Sequence, residues 1–325
     1  MEKETLRNGV IRTPDERFAN LPGFDYEPNY MVIDGLRIHF LDEGPTDAAP
    51  ILLMHGEPSW CYLYRKMIPP LVEGGFRVIA PDLLGFGRSD KFITQNAYSY
   101  QLQVDLMTQL VRGLNLQNAN IFVQDWGGLI GLRVVAEEPQ RFARIIAANT
   151  GFPQAPGWQG FIGKYLFRWK VWKEGNVALN DSWDDVTLTR WVAFTRQAKD
   201  FPIGQIIQRG TISQLPDDIL AAYEAPFPDD QYKAAARVMP SLIPTQLAVN
   251  NRAWEQIFRK WDKPFLTAFS DGDPLTRKGD LVFKRYIPGA KNQPHATILG
   301  AGHFLQEDKG EELAQVVLEF IEGTS

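Results

Sequence analysis

The chain has 325 residues, 44% of them hydrophobic, and a formal net charge of −5. It is long enough to bury a substantial core in one or two domains. The acidic balance and the lack of like-charge blocks argue against nucleic acid and anionic membranes as partners. The amino terminus is charged and has no apolar core, so we predict no signal peptide. No run of about eighteen apolar residues occurs, so we predict no membrane span. A single cysteine, Cys61, argues against a disulfide or a cysteine metal site, so we expect a cytoplasmic protein.

The first half of the chain alternates short apolar runs with helical patterns. Residues 1–28 show no regular pattern, and an Asp-Gly pair between residues 30–33 and 36–41 predicts an antiparallel hairpin. Further strands are predicted at 51–54, 76–81, 121–123 and 144–148, with helical stretches at about 60–73, 100–114 and 126–135. This alternation indicates a mostly parallel sheet with helices on both faces and the hairpin at an edge.

The alternation stops after Gly151 and resumes near residue 245. Strands are predicted at 264–270 and 296–299, and an amphipathic helix closes the chain at 312–321. We therefore predict a core domain of residues 1–151 and 245–325 and a helical cap domain of residues 152–244. The cap would cover the carboxyl ends of the strands, where open α/β sheets place their sites. It is rich in tryptophan, at positions 158, 169, 172, 183 and 191.

Asp125 occupies the turn between a predicted strand and a predicted helix. This is the context of a nucleophile elbow, which usually carries serine, but a carboxylate can also attack and form an ester on the enzyme. Gly127 fits the elbow pattern, whereas Val123 stands where elbows often have glycine. The plain alternative is an aspartate that caps the helix.

Asp273 and His303 follow the last two predicted strands. The order Asp125, Asp273, His303 is the nucleophile–acid–histidine order of an α/β-hydrolase triad, in which the acid orients the imidazole base. Asp271 competes with Asp273 for the role of the acid, since either can be a turn residue. The remaining histidines are expected to be structural: His39, His55 and His295.

Three motifs together resemble the haloalkane dehalogenases of the α/β-hydrolase superfamily. They are HGEPSW at residues 55–60, VQDWGG at 123–128 and GAGHF at 300–304, and the resemblance runs from about residue 30 to the end. It is closest to the branch with His-Gly-Glu-Pro and an acid late in the chain. The family implies an α/β-hydrolase fold with a helical cap and hydrolysis of haloalkanes to a primary alcohol and halide. It implies no cofactor or metal, only a small apolar halogenated substrate, water and halide, and we expect a monomer or homodimer.

The resemblance also implies roles for the triad. Asp125 would displace halide from carbon, and His303, oriented by Asp273, would activate water to hydrolyse the resulting ester. Backbone N–H groups of Glu57 and Trp126 would hold the oxyanion, an interaction typically worth about 3–4 kcal/mol.

Two indole N–H groups would stabilise the departing halide. Trp126 beside the nucleophile is one, and Trp191 is the other by its resemblance to the family's cap stretch. Trp169 and Trp172 are alternatives within the tryptophan-rich stretch 158–185. That stretch also has the three- to four-residue spacing of a packing or subunit-contact stripe.

An epoxide hydrolase is the nearest alternative function. It shares the fold and the triad but needs cap tyrosines as proton donors, and Tyr165, Tyr223 and Tyr232 are available. Glu57 and the Gln-Asp-Trp run around Asp125 favour the dehalogenase. A fluoroacetate dehalogenase, which resembles Asp-Arg-Gly at the elbow, a serine hydrolase and a ligand-binding receptor fit the residues less well.

Overall fold

The structure, a computed structural model, describes residues 7–178 and 186–324. Trp183, one of the tryptophans of the predicted cap, lies outside these residues, as do residues 1–6. Across the part that is described, no helix is both long and apolar enough to cross a membrane.

Ten strands occur within the described residues, and eight of them form the central sheet. The strands are β1 Val10–Ile11, β2 Asn29–Ile33, β3 Leu36–Glu43, β4 Pro50–Met54, β5 Arg77–Pro81, β6 Lys91–Phe92, β7 Ala119–Gln124, β8 Phe142–Ala148, β9 Phe265–Ser270 and β10 Ala296–Ile298. The sheet order is β10-β9-β8-β7-β4-β5-β3-β2, and β1 pairs with β6 separately. The hairpin strands β2 and β3 are antiparallel and the remaining strands of the sheet are parallel, as in an α/β-hydrolase fold.

Eleven α-helices cover the sheet or connect its strands within the same described ranges. They are α1 Ile68–Glu73, α2 Tyr100–Gly113, α3 Trp126–Glu137, α4 Gly157–Glu174, α5 Leu188–Gln197, α6 Ile203–Arg209, α7 Asp217–Glu224, α8 Ala234–Leu242, α9 Leu247–Gln256, α10 Asp280–Tyr286 and α11 Leu305–Glu322. Helices α4 to α9 lie between β8 and β9. Helix α9 packs against both α3 and α4, so it contacts each side of the predicted domain boundary.

The burial of the strands explains their sequence patterns. Strands β4 and β7 are buried at every position because helices cover both faces of the sheet. Strand β4 is apolar throughout, and β7 is apolar except for Asn120 and Gln124. Strand β2 alternates partly buried and exposed positions over most of its length because it lies at the sheet edge. The loops that follow β4 and β7 therefore extend from strands that are buried along their whole length.

Three predicted elements differ from the structure. Residues 60–73 form a short 3₁₀ turn, Cys61–Tyr64, and then α1, because Pro69 and Pro70 are suited to the first positions of a helix. Helix α11 begins at Leu305 rather than at 312. The first turn contains the buried Glu307, whose carboxylate accepts a hydrogen bond from Arg65 at 2.9 Å, and this charged residue interrupts the apolar pattern in the sequence. The amino-terminal region, in which no pattern was found, contributes β1 and a 3₁₀ turn.

Candidate active site

Asp125 lies at the sharp turn from β7 into α3. Its backbone has φ 50° and ψ −125°, a left-handed conformation that is uncommon for a residue with a side chain. The turn is tight because Gly127 and Gly128 approach their neighbours closely: a Cβ atom would collide with the Met54 carbonyl at the first and with the Thr150 hydroxyl at the second. The carboxylate of Asp125 makes no capping hydrogen bond to α3, which is inconsistent with the helix-cap interpretation.

His303 lies between two carboxylates. Its Nε2 is 3.5 Å from Oδ2 of Asp125, and its Nδ1 is 3.0 Å from Oδ2 of Asp273. Asp273 is itself held by the backbone N–H of Leu275 at 2.9 Å and by the hydroxyl of Thr276. The structure therefore brings together the three residues that the sequence predicts as a triad.

Asp271 has a different environment. Its side chain is exposed, and its Oδ1 accepts hydrogen bonds from the backbone N–H groups of Gly300 at 2.9 Å and Ala301 at 3.5 Å. It ties the loop after β9 to the loop that carries His303 and does not contact the imidazole. Of the two candidate acids, only Asp273 is placed to orient the base.

Residues absent from the sequence prediction support the triad. Asn149 follows β8; its carbonyl accepts the N–H of Asp125 at 3.1 Å, and its side chain donates to the carbonyl of His303 at 3.1 Å. Thr150 donates its hydroxyl to the carbonyl of Asp125 at 2.7 Å, and Gln124 donates to the carbonyl of His303 at 3.1 Å. The position of Asn149 and Thr150 directly after a strand is the signal that could have identified them.

The two carboxylate oxygens of Asp125 have different partners. Oδ1 accepts the backbone N–H of Glu57 at 2.8 Å, whereas Oδ2 faces His303. Trp126 is the first residue of α3, where backbone N–H groups have no acceptor within the helix. Glu57 thus supplies one backbone donor to Oδ1, and the N–H of Trp126 has no acceptor within the helix.

A cavity of about 270 Å³ opens beside Asp125 and His303. Its walls are mainly apolar, and the side chains that form them include Leu129, Leu188, Ile206, Ile243, Leu275 and Phe304. Binding sites for drug-sized ligands typically measure about 300–1,000 Å³, so this cavity suits a smaller apolar molecule.

Trp126 and Trp191 both line the cavity and are only 3% and 7% exposed. The ring of Trp126 packs edge-on against Tyr100, and that of Trp191 stacks on Phe194. None of the residues described accepts a hydrogen bond from the indole of Trp126, while the indole of Trp191 donates to the carboxyl of Glu57. Both positions predicted for halide donors therefore border the same apolar space.

The charged groups of the site shift one another's pKa. Burial lowers the pKa of His303, but Asp273 and Asp125 outweigh this and raise it to about 10. Burial raises the pKa of Asp273, yet His303 and the hydrogen bonds to the carboxylate bring it below its usual value. Burial and then the charge of Asp125 raise the pKa of Glu57 well above its usual value.

Comparison with known proteins supplies the family. Residues 49–310 match the family model of the alpha/beta hydrolase fold. The haloalkane dehalogenase of Psychrobacter cryohalolentis is 47% identical over 322 residues, which cover 96% of this chain and 98% of that protein. The chain belongs to the haloalkane dehalogenases. The relative from Mycolicibacterium paratuberculosis is 43% identical over 319 residues, which cover 95% of this chain and 97% of the relative.

A solved structure of the same family agrees with this assignment. The tetrameric haloalkane dehalogenase DpaA from Paraglaciecola agarilytica superposes with a TM-score of 0.79 at 32% identity, over 94% of this chain and 96% of that one. The expected α/β-hydrolase fold is thus confirmed. The chain is a haloalkane dehalogenase, a hydrolase that acts on carbon–halide bonds, as the motifs predicted.

The alternative halide donors of this dehalogenase lie elsewhere. Trp169 and Trp172 are 49% and 75% exposed on α4, and neither lines the cavity. The tyrosines that an epoxide hydrolase would need are also outside it: Tyr165 is exposed, and the hydroxyl of the buried Tyr223 bonds to Glu307. Tyr232 is likewise not among the residues of the cavity wall. None of the three candidate tyrosines therefore borders the cavity.

The remaining histidines of this dehalogenase have structural partners. His39 pairs with the buried carboxylate of Asp82 at 2.7 Å, and Nε2 of His55 accepts the N–H of Leu83 at 3.0 Å. His295 accepts the N–H of Thr267 at 3.0 Å. Each stabilises a loop or strand, consistent with the structural roles expected from the sequence.

Proposed function

We propose that this dehalogenase converts a small apolar haloalkane into a primary alcohol and halide through an ester on Asp125. The observation that carries the proposal is the unequal environment of the two carboxylate oxygens. The backbone N–H of Glu57 holds Oδ1, while Oδ2 faces His303, and both Asp125 and His303 line the cavity. Oδ2 would attack the carbon from the side opposite the halogen, and the carbon–halogen electron pair leaves with the halide.

Trp126 and Trp191 would stabilise the departing halide. Negative charge builds on the halogen in the transition state, and preorganised N–H donors in an apolar cavity stabilise it strongly. Halide is a weak base, so no proton donor is required. The indole of Trp191 would exchange its acceptor, moving from the carboxyl of Glu57 to the halide.

His303 would then activate water to attack the ester carbonyl. The former Oδ1 becomes the oxyanion, held by the backbone N–H groups of Glu57 and Trp126. Esterification removes the charge of Asp125, which is one of the causes of the raised pKa of His303. The pKa then falls, so the imidazole becomes a competent base in the step that needs one.

We further propose that the enzyme belongs to the His-Gly-Glu-Pro branch of the family. Glu57 stands where the other large branch has an asparagine that helps to bind halide, so a cap tryptophan must supply the second donor. The acid Asp273 follows β9, late in the chain. We also retain the division into a core domain of residues 1–151 and 245–325 and a cap domain of residues 152–244.

The test is halide release from 1-bromobutane and 1,2-dibromoethane, with styrene oxide hydrolysis measured in parallel. We expect bromide without diol from the epoxide. Diol without bromide would overturn the proposal and move the chemistry to proton donors outside the cavity wall. Freshly purified Asp125→Asn should release no bromide, whereas Asp271→Asn, an exposed carboxylate of the same edge, should stay active.

A further inference from the structure

The outer side of α4 presents an unusual amount of apolar surface. Seven large side chains on this helix are between about half and three-quarters exposed. We call them the α4 face: Trp158, Phe161, Ile162, Tyr165, Leu166, Trp169 and Trp172. The opposite side of α4 buries Gly160 and Val171 and packs against α5 and α9. The helix is therefore anchored by one side, and the α4 face points away from the core.

The area of the α4 face is that of a protein interface. A large aromatic side chain buries about 150–250 Å², so seven side chains exposed to this extent present roughly 800 Å². The largest apolar patch of a typical monomer is about 300–600 Å². A stable protein–protein interface buries about 800 Å² on each partner. The α4 face is therefore larger than the largest apolar patch of a typical monomer and matches the area that one partner buries in a stable interface.

The spacing of the α4 face identifies the kind of partner. Trp158, Tyr165 and Trp172 are seven residues apart, and Ile162 and Trp169 fall between them, which is the heptad pattern of a helix-pairing seam. The pattern is also symmetric about Tyr165, with a tryptophan seven residues to each side. A symmetric pattern suits an isologous contact, in which the same surface of two copies meets across a two-fold axis.

We propose that the α4 face pairs with the α4 face of a second copy of this chain. The two helices cross antiparallel with Tyr165 near the two-fold axis. Trp158 then meets Trp172 of the partner subunit, and Phe161 meets Trp169 of the partner subunit. The contact lies on the helix that precedes the cavity wall at Leu188 and leaves Asp125 and His303 untouched.

The net charge of the whole chain, rather than that of α4, favours a protein partner over an anionic lipid surface. The helix carries Lys164, Arg168, Lys170 and Lys173 with the single acid Glu174, and Nζ of Lys173 lies 3.9 Å over the ring of Trp169. The whole chain has a net charge of −5, which opposes approach to an anionic bilayer. A second copy offers an apolar face of equal size.

Cross-linking tests the position of the axis. Tyr165→Cys should give a covalent dimer with a short bismaleimide, because the residue meets its own copy there. Cys61, the natural cysteine, is buried and stays unmodified. The matched control is Leu281→Cys on α10, equally exposed but distant in sequence, which should remain a single chain. Equal cross-linking of both variants would overturn the proposed arrangement.

Sedimentation tests the face itself. We expect wild type at twice the chain mass of 36.9 kDa or an even multiple of it, and Trp158→Ser combined with Trp172→Ser should weaken the pairing by at least about 100-fold. Val32→Ser combined with Leu281→Ser removes exposed apolar side chains elsewhere and should leave the assembly intact. Bromide release and circular dichroism should be unchanged in both.

Two outcomes would contradict the proposal. A wild-type protein that stays at 36.9 kDa at all concentrations would exclude pairing through the α4 face. A monomer that sediments with phosphatidylcholine–phosphatidylglycerol vesicles, and loses this in the tryptophan variant, would make the face a lipid-binding surface instead. Neither outcome would affect bromide release, so the assembly and the chemistry are tested separately.

Discussion

Trp126 and Trp191 lie almost wholly buried at the carboxyl edge of the sheet, whereas Trp158, Trp169 and Trp172 stand exposed on the outer side of α4. Around the cavity, the indoles form part of an apolar wall, where an N–H group is a strong donor because both side chains are almost wholly shielded from solvent. On α4 the same side chain contributes mainly area. The comparison shows that the environment, and not the residue type, determines what a tryptophan does in this enzyme.

The largest expected effect concerns the base at the buried edge. His303→Phe should leave alkylation of Asp125 intact but stop hydrolysis of the ester, because no other described imidazole reaches the carboxylate. Turnover should fall by at least about 10³-fold. Mass spectrometry of the variant after exposure to 1-bromobutane should show the trapped alkyl-enzyme. Continued turnover without a trapped ester would show that His303 is not the base.

A second comparison is between two aspartates on one loop. Asp273→Asn should slow ester hydrolysis by about 10²–10⁴-fold, since it removes the carboxylate that orients the imidazole and stabilises its protonated form. Asp271→Asn should reduce turnover less than about three-fold because its partners are backbone N–H groups of the histidine loop. Single-turnover kinetics of both variants would measure the difference. Equal losses of activity in the two variants would mean that His303 depends on the position of its loop rather than on the charge of Asp273.

The third prediction compares the tryptophans directly. Trp126→Phe and Trp191→Phe each remove one donor to halide and should raise the bromide dissociation constant about 10- to 100-fold. Trp169→Phe and Trp172→Phe should leave it unchanged, because neither ring lines the cavity. Quenching of tryptophan fluorescence by bromide measures the constant. An unchanged affinity in Trp191→Phe together with a loss in an α4 variant would reverse the assignment.

The smallest expected effect is on stability at high pH. The pKa of His303 is raised from 6.5 to about 10, and a group with a raised pKa stabilises the folded state fully below 6.5 and loses this contribution as pH rises. The free energy of unfolding of wild type, relative to His303→Phe, should therefore fall between pH 6.5 and 10. Urea unfolding across this interval measures the trend. A difference that is constant with pH would refute the pairing of His303 with its carboxylates.

Much of the site was predictable because it lies on short loops directly after strands. The ends of parallel strands meet at one edge, so Asp125, Asp273 and His303 could be grouped from their positions alone. Asn149 obeys the same rule but was not singled out, since an amide after a strand has no chemistry of its own. The choice between Asp273 and Asp271 depended on which carboxylate reaches the imidazole, and spacing along the chain does not encode that distance.

The sequence by itself determined the order along the chain of the eight strands of the central sheet, the elbow at Asp125 and the family, because these follow from local apolar patterns and short motifs. Only the tertiary structure decided which tryptophans line the cavity and which form the α4 face. Trp169 and Trp191 both have apolar neighbours at helical spacing, so their local patterns are alike. Whether a helix turns such a stripe inward or outward depends on the elements packed against it, and those are distant in the chain.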